Sequence, residues 1–153
     1  MLLKSGVSGF YYRDEPPMTN RKEFKETCIH LCRLTAGTLL EFNQPEINVN
    51  FYEAILEYEK EIIHILLNAH YPYLAFAKSV NAFNIDFIDI PRFLPYQEGY
   101  RVLTFTELYE PIQYKNHKNH LILNENELNI AELNQIKRWK PAIVGEIIFN
   151  FWD

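Results

Sequence analysis

The longest run of buriable side chains extends from Phe51 to Ala77, and its second half, from Ile62 onward, holds no Asp, Glu, Lys or Arg. Two readings fit it. As strands, Phe51 to Glu57 and Ile62 to Leu67 flank a reversal at Tyr58-Glu59-Lys60-Glu61. That places Glu53, Ile55 and Glu57 on one face and Tyr52, Ala54 and Leu56 on the other. As a helix through Glu53 to Asn68, the residues Ile55, Leu56, Ile62, Ile63 and Leu66 gather near one stripe. The sequel favours strands, because Asn68-Ala69-His70-Tyr71-Pro72 is turn chemistry and Tyr73 to Ala77 is a short apolar, aromatic run suited to pairing beside a buried strand.

The flanking segments are read in the same way. Gly6 to Tyr12 predicts a first strand, closed by Pro16-Pro17. Thr19 or Asn20 then caps a helix, with Glu23 at capping-box spacing from Asn20. Its apolar stripe is Phe24, Cys28, Leu31, Cys32 and Thr35, and Gly37 supplies the stop. Thr38 to Phe42 predicts a short strand. From Ala82 to Ile90 the chain alternates, with Phe83, Ile85 and Phe87 on one face. Pro91 to Tyr114 breaks every period and predicts a packed irregular segment with one helical turn at Thr106 to Tyr109. Lys115 to His120 reads as a polar loop. Asn129 and Glu132 open a helix that turns Leu133, Ile136 and Trp139 inward. After Pro141, the residues Val144, Ile147, Ile148 and Phe151 recur at helical spacing, and Trp139 and Trp152 are expected to seal the core.

This order predicts an α+β fold: a single domain over residues 1–153, with a mainly antiparallel β-sheet packed on one face by the N-terminal and C-terminal helices. Ile55, Leu66, Leu74, Phe76, Ile85 and Phe87 are the expected core.

Composition narrows the function. Hydrophobic residues make up 48% of the chain, which excludes disorder. A formal charge of -5 disfavours a phosphate backbone, so no nucleic acid is expected as partner. The uncharged run from Ile62 is shorter than the ~20 residues that span a bilayer, and the N-terminus lacks a signal peptide's apolar region, so the expectation is a cytoplasmic chain away from the membrane. Cys28 and Cys32 sit four apart on the predicted helix, a poor geometry for a disulfide, and are expected as reduced thiols. Gly6-Val7-Ser8-Gly9 has no phosphate-cradle spacing, so no nucleotide cofactor is expected.

Candidate chemistry is sparse. His30 points away from the Cys28 and Cys32 face, and the pair His117 and His120 has no third ligand in view, so no metal is expected. His64 or His70 with a carboxylate such as Glu53 has the makings of an acid–base couple. Glu57, Glu59 and Glu61 alternate toward one face of the expected hairpin. Together with Glu53 they make a candidate acidic surface for docking a basic protein, or else a solvated strand edge. Tyr11, Tyr12, Tyr96, Tyr100 and Tyr109 are candidate aromatic anchors for such a contact.

The opening GVSGFYY, the central LLNAHYPYLAFA and the closing RWKPAIVGEIIFNFWD together resemble small bacterial immunity proteins of polymorphic, contact-dependent toxin systems. The likeness is one of overall pattern over most of the chain, without a catalytic motif. It implies a cytoplasmic α+β protein that binds and neutralises a cognate toxin domain and has no enzymatic activity. It assigns no site residues. The alternatives are a small histidine/carboxylate-dependent hydrolase and a regulatory or structural interaction protein.

Overall fold

The protein, in a computed structural model that describes residues 1–96, 99–117 and 120–153, is built on the hairpin of β2 (Phe51–Tyr58) and β3 (Glu61–Asn68). The two strands pair antiparallel from Phe51 opposite Asn68 to Tyr58 opposite Glu61. Glu59 and Lys60 make the turn with φ of 50° and 65°. A two-residue turn of this left-handed kind matches the strand twist, so the reversal holds even without Asn or Gly. The segment is therefore a hairpin and not a helix.

The sheet grows outward from that hairpin. β1 (Thr38–Asn43) pairs antiparallel with β2, with a bulge between Leu39 and Glu41. β4 (Tyr73–Asn81) pairs antiparallel with β3, and β5 (Asn84–Ile88) with the outer half of β4. The short β6 (Arg101–Val102) runs parallel beside Tyr73 and Leu74. The order is β1-β2-β3-β4-β5, with β6 attached to β4. A separate hairpin joins β7 (Tyr114–His117) to β8 (His120–Ile122).

Local signals explain the helices. In α1 (Arg21–Thr35) the Asn20 side chain accepts a hydrogen bond from the Glu23 amide, and Phe24, Cys28, Leu31 and Cys32 form the buried stripe. Its left-handed C-cap is Ala36, at φ 55°, one residue before the expected Gly37. Both α2 (Phe105–Leu108) and α3 (Ile130–Trp139) open with complete capping boxes, Thr104 with Glu107 and Asn129 with Glu132. Last comes α4 (Gly145–Ile148).

The α+β class and the antiparallel sheet agree with the sequence pattern, but the helices are divided between two faces. α1 and Phe93 of the 3-10 turn Pro91–Tyr96 pack with Tyr52, Ala54, Leu56, Ile65, Leu67 and Phe76. On the opposite face, Leu108, Ile136, Val144, Ile147 and Ile148 pack with Phe51, Leu66, Ala75, Ala77 and Phe87. The central strands are apolar on both sides over much of their length, so each side recruits its own cover. Of the expected core, Leu66, Leu74, Phe76, Ile85 and Phe87 are buried, while Ile55 is only half-buried.

Several segments depart from expectation, each for a local reason. Residues Gly6 to Tyr12 form turns instead of a strand. Gly6 and Gly9 hold φ of 86° and 90°, and a Cβ on Gly6 would lie 2.4 Å from Pro16 Cβ, so the chain is coiled tightly there. Phe83 falls in the β4–β5 turn and is 98% exposed, because Asn81 Oδ1 accepts from the Phe83 and Asn84 amides and starts the turn before it. The polar segment at Lys115 is part of the β7–β8 hairpin. The C-terminal helix stops at Ile148, because Asn150 is drawn aside by buried hydrogen bonds: its amide donates to Asn50 Oδ1 at 2.8 Å, and its Nδ2 donates to the Ser8 and Ile147 carbonyls at 3.0 Å. Trp152 is buried, but Trp139 is 40% exposed, with its Nε1 donating to Gln135 Oε1. Among the described residues, no helix is long and apolar enough to cross a membrane.

Candidate functional site

The helical cover on the Leu66 side of the sheet leaves part of that face open. Phe51, Leu66, Ala75 and Phe87 are sealed, but toward the β2–β3 turn the same face presents half-buried Ile55 and exposed Ile62. Strand alternation places Glu53 and Glu57 on either side of Ile55. The register brings Glu41 opposite Ile55 on β1 and His64 opposite it on β3. The result is an apolar centre within a carboxylate and imidazole rim.

The acidic residues singled out from sequence separate into different environments. Glu57 is exposed on this open face. Glu53 is on the same face but engaged: Oε2 lies 2.8 Å from His64 Nδ1, Oε1 accepts from Asn43 Nδ2 at 3.1 Å, and both the Glu53 and His64 side chains are largely shielded. Glu59 is in the turn, where Oε1 accepts from Arg92 Nη1 at 3.3 Å. Glu61 is exposed on the other face, opposite Tyr58. Glu57, Glu59 and Glu61 therefore do not share one face. A two-residue turn that pairs Tyr58 with Glu61 puts Glu57 in register with Ile62, so Glu57 and Glu61 project to opposite sides. Glu41 joins the patch through register, a relation that spacing along one strand does not show.

The histidines are placed with equal clarity. His64, not His70, is the one bonded to Glu53. A carboxylate accepts, so Nδ1 of His64 carries the hydrogen. His70 Nδ1 donates to the Pro17 carbonyl at 2.9 Å, which ties the turn after β3 to the segment before α1. His117 and His120 are opposite each other in the β7–β8 register, and their side chains lie outside the described residues. So does the side chain of Tyr96. Cys28 and Cys32 are free and buried. Burial raises both thiols, Cys28 far above the usual thiol range with Cys32 adding to it, so both are held as neutral thiols. Among the described residues, no three His, Cys, Asp or Glu side chains are grouped to hold a metal ion.

The described surface includes three cavities, of which the largest, about 720 Å³, lies between α1 and the turn at His70 to Pro72. A second, about 350 Å³, lies under Ile47 and Trp152, and a third, about 300 Å³, between Phe83 and Trp139. Neither Glu53 nor His64 lines any of them.

Sequence reasoning overlooked Glu132 as a structural centre. It is fully buried, yet its carboxylate accepts from the Gly6 and Ser8 amides and the Ser8 hydroxyl, as well as from Asn129. Its capping-box position was legible, but its hold on the N-terminal turns is made through space.

No family model, curated protein or solved structure matches the chain. The chemistry of the site therefore rests on its own residues.

Proposed function

We propose that the chain is a toxin-neutralising binding protein of the immunity type, which occludes a basic surface of a cognate toxin domain and performs no catalysis. The observation that carries this reading is the open half of the sheet face. Apolar Ile55 and Ile62 are flanked there by Glu41, Glu53 and Glu57 on the β2–β3 hairpin and its neighbour β1. An apolar centre with a like-charged rim is the form expected of a surface that excludes water at its middle and steers an oppositely charged partner at its edge. In this reading the protein works in the cytoplasm, where Cys28 and Cys32 stay reduced.

A second reading, a small hydrolase, has the 2.8 Å contact of Glu53 and His64 in its favour, since a carboxylate that orients an imidazole is half of an acid–base couple. Against it, neither residue of the pair lines any of the three cavities described above, whereas catalysis needs a concave site that positions substrate and excludes water.

One experiment separates the two. The protein is co-expressed with the C-terminal domain of a candidate cognate toxin, and cell survival is scored for the parent and for Glu41→Lys/Glu57→Lys, which leaves the Glu53–His64 pair in place. Docking through the open face predicts protection by the parent and its loss in the folded double variant. Undiminished protection by the double variant favours the hydrolase, and no protection by the parent contradicts the immunity reading.

A further inference from the structure

Across the sheet, Glu41, Ile55, His64, Ala77 and Phe87 stand in one row of direct partners from β1 to β5. Directly paired residues on antiparallel strands share a face. Along this row Phe87 and Ala77 are sealed under the helical cover, Ile55 is half-buried and Glu41 is exposed, so the cover ends near His64. Closer to the β2–β3 and β4–β5 turns, the same face carries Ile62, 45% exposed, on β3, and Val80 opposite Ile85 on β4 and β5. Val80 and Ile85 both belong to the core on this side, so the apolar strip runs on from Ile55 and Ile62 to the rim of the cover.

That rim is the cavity between the β4–β5 turn and the end of α3. Two large aromatics stand open there, Phe83 at 98% and Trp139 at 40% exposure. Lys140 lines the same cavity, and Lys137 lies one turn before it on α3. Of the carboxylates nearby, Glu146 accepts from the Ala142 amide and Asp153 is paired with Arg138. Among the described residues, neither Lys137 nor Lys140 has an ion-pair partner. One side of the sheet therefore carries, in line, a carboxylate rim on β1 and β2, an apolar strip, and an aromatic rim with unpaired lysines. A surface with opposite charges at the two ends of an apolar strip is complementary to itself after a half-turn.

From this arrangement we infer that the open face of the free protein is occupied by a second copy of the chain, related by a two-fold axis through the strip. Phe83 and Trp139 of one protomer cover Ile55 and Ile62 of its partner, and Lys137 and Lys140 meet the partner's Glu41 and Glu57. The contact removes from water the apolar strip that each protomer leaves bare. A toxin domain that docks on this face displaces the second copy, and absence of the dimer leaves the docking reading as it stands.

The test is sedimentation equilibrium of the full chain at low salt and at about 0.5 M sodium chloride, with far-UV circular dichroism as the check on folding. The expected result is a dimer with a dissociation constant of about 1–100 μM, weakened about tenfold or more by the salt. Phe83→Ser, at an almost fully solvated turn position, should keep the fold and leave the chain monomeric. Glu41→Lys/Glu57→Lys and Lys137→Glu/Lys140→Glu should each be monomeric alone, because like charges then face each other. Their equimolar mixture should form a one-to-one heterodimer, because opposite charges face each other at both ends. The inference is overturned if the parent is monomeric at about 500 μM, if Phe83→Ser or the charge variants dimerise as the parent does, or if the mixture stays monomeric.

Discussion

Replacing Glu132 by glutamine is the sharpest probe of how this fold is held. Oε1 accepts from the Ser8 amide at 3.0 Å and the Ser8 hydroxyl at 2.7 Å, while Oε2 accepts from the Gly6 and Asn129 amides and Asn129 Nδ2, each at 3.0 Å. Every one of these partners donates. A glutamine must put its NH₂ in one of the two positions. At the Oε1 position the Ser8 hydroxyl can reverse and accept, but the Ser8 amide is left facing another donor in a fully buried site. One charge-assisted bond is lost, a buried N–H is left unpaired, and the remaining bonds fall to neutral strength, while removal of a buried charge returns part of its desolvation cost. The net loss is about 3 kcal/mol, or roughly 6–12 °C in melting temperature for a chain of this size. Urea unfolding reports it, followed by circular dichroism and by fluorescence of Trp152, which packs against Phe10 at a ring separation of 6.4 Å. The exposed Glu127→Gln is the control. A Glu132→Gln midpoint equal to the control's would refute the view that this carboxylate clamps the N-terminal turns to α3.

Other predictions follow from single positions. Leu66→Ala removes a fully buried side chain from the sheet and should cost about 3 kcal/mol in urea unfolding, with the open sheet face kept intact. Glu59→Asn with Lys60→Gly fits the left-handed turn better and should raise stability by about 1 kcal/mol, since the exposed Arg92 contact that it removes contributes little. Cys28 should resist thiol reagents in the native protein at pH 8 and react only on unfolding. Its raised thiol pKa leaves it protonated through that range, and fast native labelling would contradict the burial.

The elements legible in the sequence were those whose signals are local. Alternation in Tyr52, Ala54 and Leu56 and turn chemistry at Asn68 to Pro72 were enough to place β2, β3 and β4, and cap spacing placed α1 and α3. What was missed is set by distant partners. The Gly6 to Gly9 turns depend on Glu132, and the early end of α4 depends on Asn50. Trp139 has helical spacing for the core, but at the end of α3 it turns out to solvent and bonds Gln135. The candidate acidic surface was legible as composition only. Which glutamates share a face depends on register, and register joins Glu41 to Glu53 and Glu57 while separating Glu61.

The docking claim is tested most directly by the association rate with the cognate toxin domain. The rate is measured across salt concentrations for the parent and for Glu41→Lys/Glu57→Lys. Both residues are exposed, so the variant should fold as the parent does. Docking through the open face predicts an association rate about tenfold or more lower at low salt and a flattened or inverted salt dependence. Equal rates and equal salt dependence for a folded variant would contradict it.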